Sequence, residues 1–141
     1  MYILRYLTFS CVGDDQNPKG ARMIINKNRS LLATISSSPS NALHTYKFES
    51  GEWTEFLLPS STVFPLVSVE FSTKSSHALF VLGENSIHIY DTKKPKGPQR
   101  VVSLSTLVCE HMCVVPASST AVVVAAKGGK ILLIDTRPKT R

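Results

Sequence analysis

The chain has 141 residues and is 43% hydrophobic, which is enough for one globular domain with its own core. Its 16 lysines and arginines outnumber its 10 acids, so the net charge of +6 suits an acidic partner but does not indicate a fold. No apolar run reaches the ~18 residues of a membrane span, Arg5 interrupts the apolar N-terminal stretch, and three cysteines do not make an even disulfide framework. We therefore expect an intracellular protein in a reducing compartment, without membrane contact.

Short strands are predicted along the whole chain, separated by Ser, Asn, Gly, Pro and Lys. No segment keeps a helical period over several turns, so the expected fold class is all-β. In chain order the predicted strands are 2–11, 22–26, 30–36, 43–48, 53–58, 66–72, 77–82, 87–91, 99–105, 110–115, 121–126 and 130–135. In the strand at 66–72, alternation is expected to place Val67, Val69 and Phe71 on one face. Trp53 is expected to pack on an outer strand.

One segment repeats after 44 residues. Residues 86–92 (SIHIYDT) return as residues 130–136 (KILLIDT), and both copies end in Asp-Thr. The apolar run at 77–82 has its counterpart at 121–126, so one register is predicted for both strands. A period of ~40–45 residues is typical of β-propeller blades, and one blade cannot bury both faces of its own sheet. We therefore expect the blades to stack on one another.

The repeat divides the chain into blades of one propeller-type domain, residues 1–141. We expect an N-terminal strand and loop at 1–20, a first blade at 21–59, a second at 63–106 and an incomplete third at 107–141. Propellers have about 4–8 blades, so about three four-stranded antiparallel blades are too few to surround a channel. The sequence therefore predicts an open arc. Three alternatives stay open: a fragment, a short isoform, or one part of an assembled ring.

The strand pattern resembles WD40 repeats. Residues 67–72 (VSVEFS), 79–81 (LFV) and 86–91 (SIHIYD) follow that family's V-x-V-x-F-S, L-A-S and T-I-R-I-W-D sequences. The chain departs from the family where the closing Trp-Asp becomes Tyr90-Asp91 and Ile134-Asp135, and no Gly-His opens a blade. The resemblance implies blades held together by apolar packing more than by polar networks.

A narrower resemblance involves residues 29–34 (RSLLAT), Phe71-Ser72 and 124–129 (VAAKGG). They are similar to the N-terminal half of the WD-repeat accessory subunit of tRNA guanine-N7 methyltransferase, which is non-catalytic and holds a methyltransferase partner. That family's A-D-K-x-G-D turn is AAKGGK at 125–130, without either acid. The resemblance implies a non-enzymatic scaffold for protein–protein interaction, with a methyltransferase catalytic subunit as its partner, in tRNA processing and in the nucleus.

Basic residues are expected to gather on one face of the arc. With strands a to d counted from hub to rim, the a–b and c–d loops of every blade emerge on the same face. Ten of the 16 lysines and arginines fall in these loops: Lys27, Arg29, Lys74, Lys93, Lys94, Lys96, Arg100, Arg137, Lys139 and Arg141. Such a face suits direct binding of RNA phosphates, and a solvated rim that keeps the protein soluble is the alternative. The run Lys93-Lys94-Pro95-Lys96 also fits a nuclear-import signal.

The residue types that carry chemistry form no recognisable set. Cys109, His111 and Cys113 alternate along a predicted strand and are expected to share a face, but the two cysteines are about 13 Å apart, too far to bind one tetrahedral ion. Core packing is therefore the expectation for the cysteines, and no metal or other cofactor is predicted. The four histidines lie in no catalytic motif, so neither enzyme activity nor a small-molecule substrate is expected.

Overall fold

The computed structural model describes residues 22–37, 40–59, 65–94, 96–104 and 106–139. Within these ranges the strands are β1 (Arg22–Ile25), β2 (Leu31–Ser36), β3 (Ala42–Lys47), β4 (Glu52–Phe56), β5 (Leu66–Phe71), β6 (Ala78–Gly83), β7 (Ser86–Asp91), β8 (Arg100–Ser103), β9 (Cys109–Val114), β10 (Ala121–Ala126) and β11 (Lys130–Asp135). The described residues include no helix that is long and apolar enough to cross a membrane. The predicted strand at 2–11 lies outside the described residues.

The strands form three antiparallel sheets, which we call blades 1, 2 and 3. Blade 1 has the order β1-β2-β3-β4, blade 2 the order β5-β6-β7-β8, and blade 3 the order β9-β10-β11. The first strands of successive blades lie side by side, because β1 contacts β5 and β5 contacts β9. The described strands do not close into a barrel. The all-β fold and the open arc of about three blades, both predicted from the sequence, are confirmed.

Blade 2 lies between the other two blades and contributes to two separate hydrophobic cores. The first core combines Ala33, Ile35, Leu43 and Phe56 of blade 1 with Leu66, Val69, Phe71, Leu79, Val81 and Tyr90 of blade 2. The second core combines Phe80, Leu82, Ile87 and Ile89 of blade 2 with Cys109, Met112, Val122 and Val124 of blade 3. Successive residues of β6 alternate between the two cores, because side chains along a strand point to opposite faces. A strand buried on both faces needs a continuous apolar run, as β6 has.

A buried tyrosine connects blade 1 to blade 2. Tyr90 is 0% exposed, and its hydroxyl donates a hydrogen bond to the carbonyl of Leu57 at 3.0 Å. Its ring meets the Phe56 ring edge to face, with the centroids 5.7 Å apart. Burial raises the pKa of Tyr90 to about 12, so the phenol stays protonated and remains a donor.

A β-bulge near the start of β5 changes which of its side chains share a face. The register with β6 shifts just after Leu66, and the register between β9 and β10 shifts in the same way at Ala126. The prediction that Val67, Val69 and Phe71 share a face is wrong. Val67 packs against the second core, whereas Val69 and Phe71 belong to the first. The extra residue reverses the alternation on one side of the bulge.

The repeat is 44 residues for one strand and 43 for the strand before it. β7 and β11 begin at residues 86 and 130, but β6 and β10 begin at residues 78 and 121. Leu79 and Val122, 43 residues apart, each face the blade that precedes their own. The prediction of one 44-residue register for both strands is therefore wrong. The turn before β11 has one residue more than the turn before β7, and Gly128 and Gly129 adopt φ values of +82° and +72° in it.

Candidate functional site

Side-chain hydrogen bonds join the first loops of the three blades into one surface. Lys27 Nζ donates to the carbonyl of Thr73 at 3.2 Å, and Thr73 Oγ1 donates to the carbonyl of Pro116 at 2.9 Å. Asn26 Nδ2 also reaches the carbonyl of Ser76 at 3.4 Å. The β1–β2, β5–β6 and β9–β10 loops are thus connected in series.

The ends of β7 and β11 lie beside these first loops. The N–H of Thr92 donates to the carbonyl of His77 at 2.8 Å, and the N–H of Thr136 donates to the carbonyl of Thr120 at 2.9 Å. His77 and Thr120 each stand directly before the second strand of their blade. We therefore define the loop face as the three first loops together with the β7–β8 loop and the residues that follow β11.

The repeated Asp-Thr pair shapes the backbone at this face. Asp91 Oδ1 accepts the N–H of Lys93 at 3.0 Å, and Asp135 Oδ1 accepts the N–H of Arg137 at 2.9 Å. An aspartate that binds the N–H two residues later forms a local turn. The Asp-Thr repeat therefore directs the chain out of each third strand in the same way, and it places basic residues at equivalent positions in two blades.

Nine of the ten predicted basic residues are described, and Arg141 lies outside the described residues. Eight are exposed: Lys27, Arg29, Lys74, Lys93, Lys94, Lys96, Arg137 and Lys139. Arg100 is half-buried and begins β8. Arg29 takes a positive φ of 58° in the β1–β2 loop, a conformation that is uncommon for a residue with a side chain.

An acid neutralises part of the loop face. The guanidinium of Arg137 binds the carboxylate of Asp135, with Nε at 2.7 Å from Oδ2 and a second contact through Nη2. The hydrogen bonds from Arg137 lower the pKa of Asp135 to about 2, so the carboxylate stays charged well into the acidic range. Arg137 is therefore already paired with an acid of the same face, which reduces the net positive charge of the loop face at this position.

Two open cavities lie between the blades at the loop face. One of about 580 Å³ is lined by Lys74, Ala117, Ser118, Ser119, Thr120, Ala121, Leu133, Asp135 and Arg137. Another of about 410 Å³ is lined by Ser30, Leu31, Thr45, Lys47, Glu52, Thr54, His77, Thr92 and Lys93. Lys74 and Arg137 thus line one of these cavities, and Lys93 and Lys47 line the other. Sequence reasoning missed Lys47, although its position at the end of β3 places it next to a c–d loop.

The predicted grouping of Cys109, His111 and Cys113 on one face is wrong. Cys109 is 3% exposed and belongs to the second core, whereas His111 and Cys113 are exposed. The register shift between β9 and β10 separates Cys109 from the other two. Burial, and then the charge of Glu84, raises the pKa of the Cys109 thiol. Within the described part of the chain, no three His, Cys, Asp or Glu side chains are grouped to bind a metal ion.

The outer face of blade 3 exposes apolar side chains. Ile131 and Leu133 of β11 are 75% and 73% exposed. Their counterparts 44 residues earlier, Ile87 and Ile89, are 0% and 4% exposed because blade 3 covers them. We call the surface around Ile131 and Leu133 the blade 3 end face. It has the apolar character of a blade-to-blade junction, but none of the described sheets covers it.

The outer face of blade 1 is apolar as well. Met23 and Ile25 are 62% and 51% exposed. Trp53 on β4 is 38% exposed, and its ring lies against Tyr46 with the centroids 4.8 Å apart, so its predicted place on an outer strand is confirmed. Tyr46 in turn meets Phe48 edge to face at 5.5 Å. We call the surface formed by Met23, Ile25, Tyr46, Phe48 and Trp53 the blade 1 end face.

Comparison with the models of known protein families gives no match for this chain, and comparison with curated proteins gives none either.

Proposed function

We propose that this chain is a non-enzymatic WD-repeat scaffold whose loop face binds a partner protein through an acidic surface. The series of hydrogen bonds from Lys27 through Thr73 to Pro116 supports this proposal, because it fixes loops of three blades relative to one another. Exposed lysines on fixed loops form a charge pattern that a complementary partner can recognise. Such complementarity raises the association rate and the specificity more than the affinity itself.

The resemblance to the accessory subunit of tRNA guanine-N7 methyltransferase supports a particular partner class. A methyltransferase catalytic subunit would carry the chemistry, and the blades would hold and stabilise it within a nuclear tRNA-processing complex. The β7–β8 loop is the strongest candidate contact, since Lys93, Lys94 and Lys96 are all exposed there.

Charge reversal tests this proposal with a matched control. Lys93→Glu combined with Lys94→Glu changes the loop face. Lys127→Glu combined with Lys130→Glu makes the same change of charge at the opposite end of the sheet, in the β10–β11 turn and at the first residue of β11. We expect capture of the methyltransferase catalytic subunit, measured with purified proteins at physiological salt, to fall in the first double variant and to persist in the second. Absence of capture by the unaltered chain, or equal loss in both variants, would count against the proposal.

Direct binding of RNA is the second candidate function. The same exposed lysines could neutralise backbone phosphates, and the release of counterions makes such binding weaken steeply with salt. Fluorescence anisotropy with a labelled tRNA across a salt series should then show a steep loss of affinity. The Lys93→Glu, Lys94→Glu variant should reduce the slope of the logarithm of the affinity against the logarithm of the salt concentration. An affinity that changes with neither salt nor charge reversal would exclude this function.

A further inference from the structure

The cavity of about 410 Å³ lies where the junction between blades 1 and 2 reaches the loop face. Side chains alternate along a strand, so the face of β3 that gives Leu43 to the first core continues in Thr45 and Lys47. Leu31 packs against the same core and also lines the cavity. Both walls belong to four-stranded sheets whose strands are all described. The cavity is therefore a polar continuation of an apolar junction.

Two residues of blade 2 continue its core face in the same way. His77 stands directly before β6 and Thr92 directly after β7, and the N–H of Thr92 donates to the carbonyl of His77 at 2.8 Å. This bond extends the ladder by one pair, so the side chain of Thr92 points towards blade 1, as that of Tyr90 does. The turn at Asp91 then places Lys93 at the cavity.

The threonine of the Asp-Thr repeat is used differently in blades 2 and 3. Thr136, 44 residues after Thr92, is 1% exposed, and its hydroxyl donates to the carbonyl of Thr120 at 2.7 Å. The hydroxyl of Thr92 is buried and has no hydrogen-bond partner among the described residues. A buried hydroxyl without a partner costs free energy, which a ligand that accepts its hydrogen bond would recover. Blade 2 thus leaves a donor unpaired beside this cavity.

Two lysines from different blades flank the cavity. Lys47 of β3 and Lys93 of the β7–β8 loop both line it, and both are exposed. The ion pair of Arg137 with Asp135 is the only one among the described residues, so neither lysine is neutralised by contact with a described acid. Glu52, opposite Lys47 in the register of β3 and β4, adds one negative charge to the lining. Two lysines against one glutamate leave the lining net positive.

We propose that this cavity binds the phosphate monoester of a phosphorylated serine or threonine on the partner protein. The inference rests on the proposed function for the source of this group. A phosphate monoester carries a charge of about −1.5 to −2 at neutral pH and has three strong acceptor oxygens. Its tetrahedral oxygens can accept from both walls at once, whereas the two oxygens of a carboxylate lie in one plane. A backbone phosphate of RNA carries a single charge and a sugar on either side, so it fits a cavity between two sheets less well.

Binding of O-phosphoserine to the intact chain tests the site without the partner protein. In NMR titrations of the isotope-labelled chain, we expect saturable amide shifts at Thr45, Thr92 and Lys93, and none with serine. Lys47→Gln and Lys93→Gln should each weaken binding about tenfold, because each removes a charge-assisted hydrogen bond. Lys94→Gln is the matched control, since Lys94 is exposed in the same loop but does not line the cavity, and it should leave the affinity unchanged.

Two further variants separate a binding role from a structural one. Glu52→Gln should tighten binding about threefold, because it removes a like charge from the lining. Thr92→Val should weaken binding about fivefold without lowering the free energy of unfolding, since no internal hydrogen bond of the hydroxyl is lost. Thr136→Val breaks the bond to Thr120 and should lower that free energy.

Several outcomes would overturn the inference. One is the absence of saturable shifts at the cavity, and another is an equal loss of affinity in Lys47→Gln and Lys94→Gln. Dimethyl phosphate bound as tightly as phosphoserine would favour an RNA backbone instead, and glutamate bound as tightly would favour a carboxylate. Capture of the catalytic subunit that survives phosphatase treatment would support the proposed function but overturn this inference. Phosphoserine binding without capture would support the site and count against the proposed function.

Discussion

The assignment of the two faces of β6 to two different cores can be tested by replacing leucine with alanine at two positions of this strand. Leu79 and Leu82 lie on the same strand and are both 0% exposed, but Leu79 belongs to the first core and Leu82 to the second. Replacing a buried leucine by alanine costs about 2–5 kcal/mol, from lost transfer free energy and from the cavity left behind. Domains of this size are stable by about 5–15 kcal/mol, so both variants should remain folded.

The two variants should differ in where the structure loosens. Because stacked repeats are stabilised by their nearest-neighbour interfaces, Leu79→Ala should weaken the junction between blades 1 and 2, and Leu82→Ala the junction between blades 2 and 3. Hydrogen exchange followed by mass spectrometry measures this by segment. We expect faster exchange in β1–β4 for Leu79→Ala and in β9–β11 for Leu82→Ala.

Two results would refute this reasoning. If both variants deprotected the same blades, the two cores would not be independent junctions. If the pattern were reversed, the alternation along β6 would be opposite to the structure. Urea unfolding of each variant gives the total loss of stability, and a loss far below about 2 kcal/mol at either site would mean that the leucine is not enclosed as described.

Two further predictions concern titratable side chains. His88 is 2% exposed, and its Nε2 shares a hydrogen bond with the Ser86 hydroxyl at 2.9 Å. Its Nδ1 is buried without a partner among the described residues. Burial lowers the pKa of His88 below its ordinary value of 6.5. Protonation therefore favours the unfolded chain, so the free energy of unfolding should fall as the pH drops below about 6.5. In urea titrations at several pH values, His88→Gln should reduce the dependence of the free energy of unfolding on pH. An unchanged pH dependence would contradict this assignment to His88. Cys113 should react with a maleimide much faster than Cys109, whose thiol is buried with a raised pKa, and peptide mapping that showed equal rates would argue against the bulge in β9.

The positions of the basic loops could be predicted from the sequence, but their net charge in the folded chain could not. Asp-Thr recurs after 44 residues, so Lys93 and Arg137 fall at equivalent positions, and the structure places both after the same kind of aspartate turn. The pairing of Arg137 with Asp135 depends on the direction of the side chains, which the turn determines. Lys93 and Lys47 line the same cavity because strands that are distant in the chain lie side by side there.

The sequence by itself determined the described strands and their grouping into three blades, because these depend on residues close together in the chain. Only the tertiary structure decided which face each side chain occupies, since one extra residue in a bulge or turn reverses the alternation, as at Val67 and Cys109. The tertiary structure also decided which apolar side chains are exposed. Ile87 and Ile131 are the same residue type at equivalent positions, yet one is fully buried and the other is 75% exposed, because burial depends on whether another sheet lies against the strand.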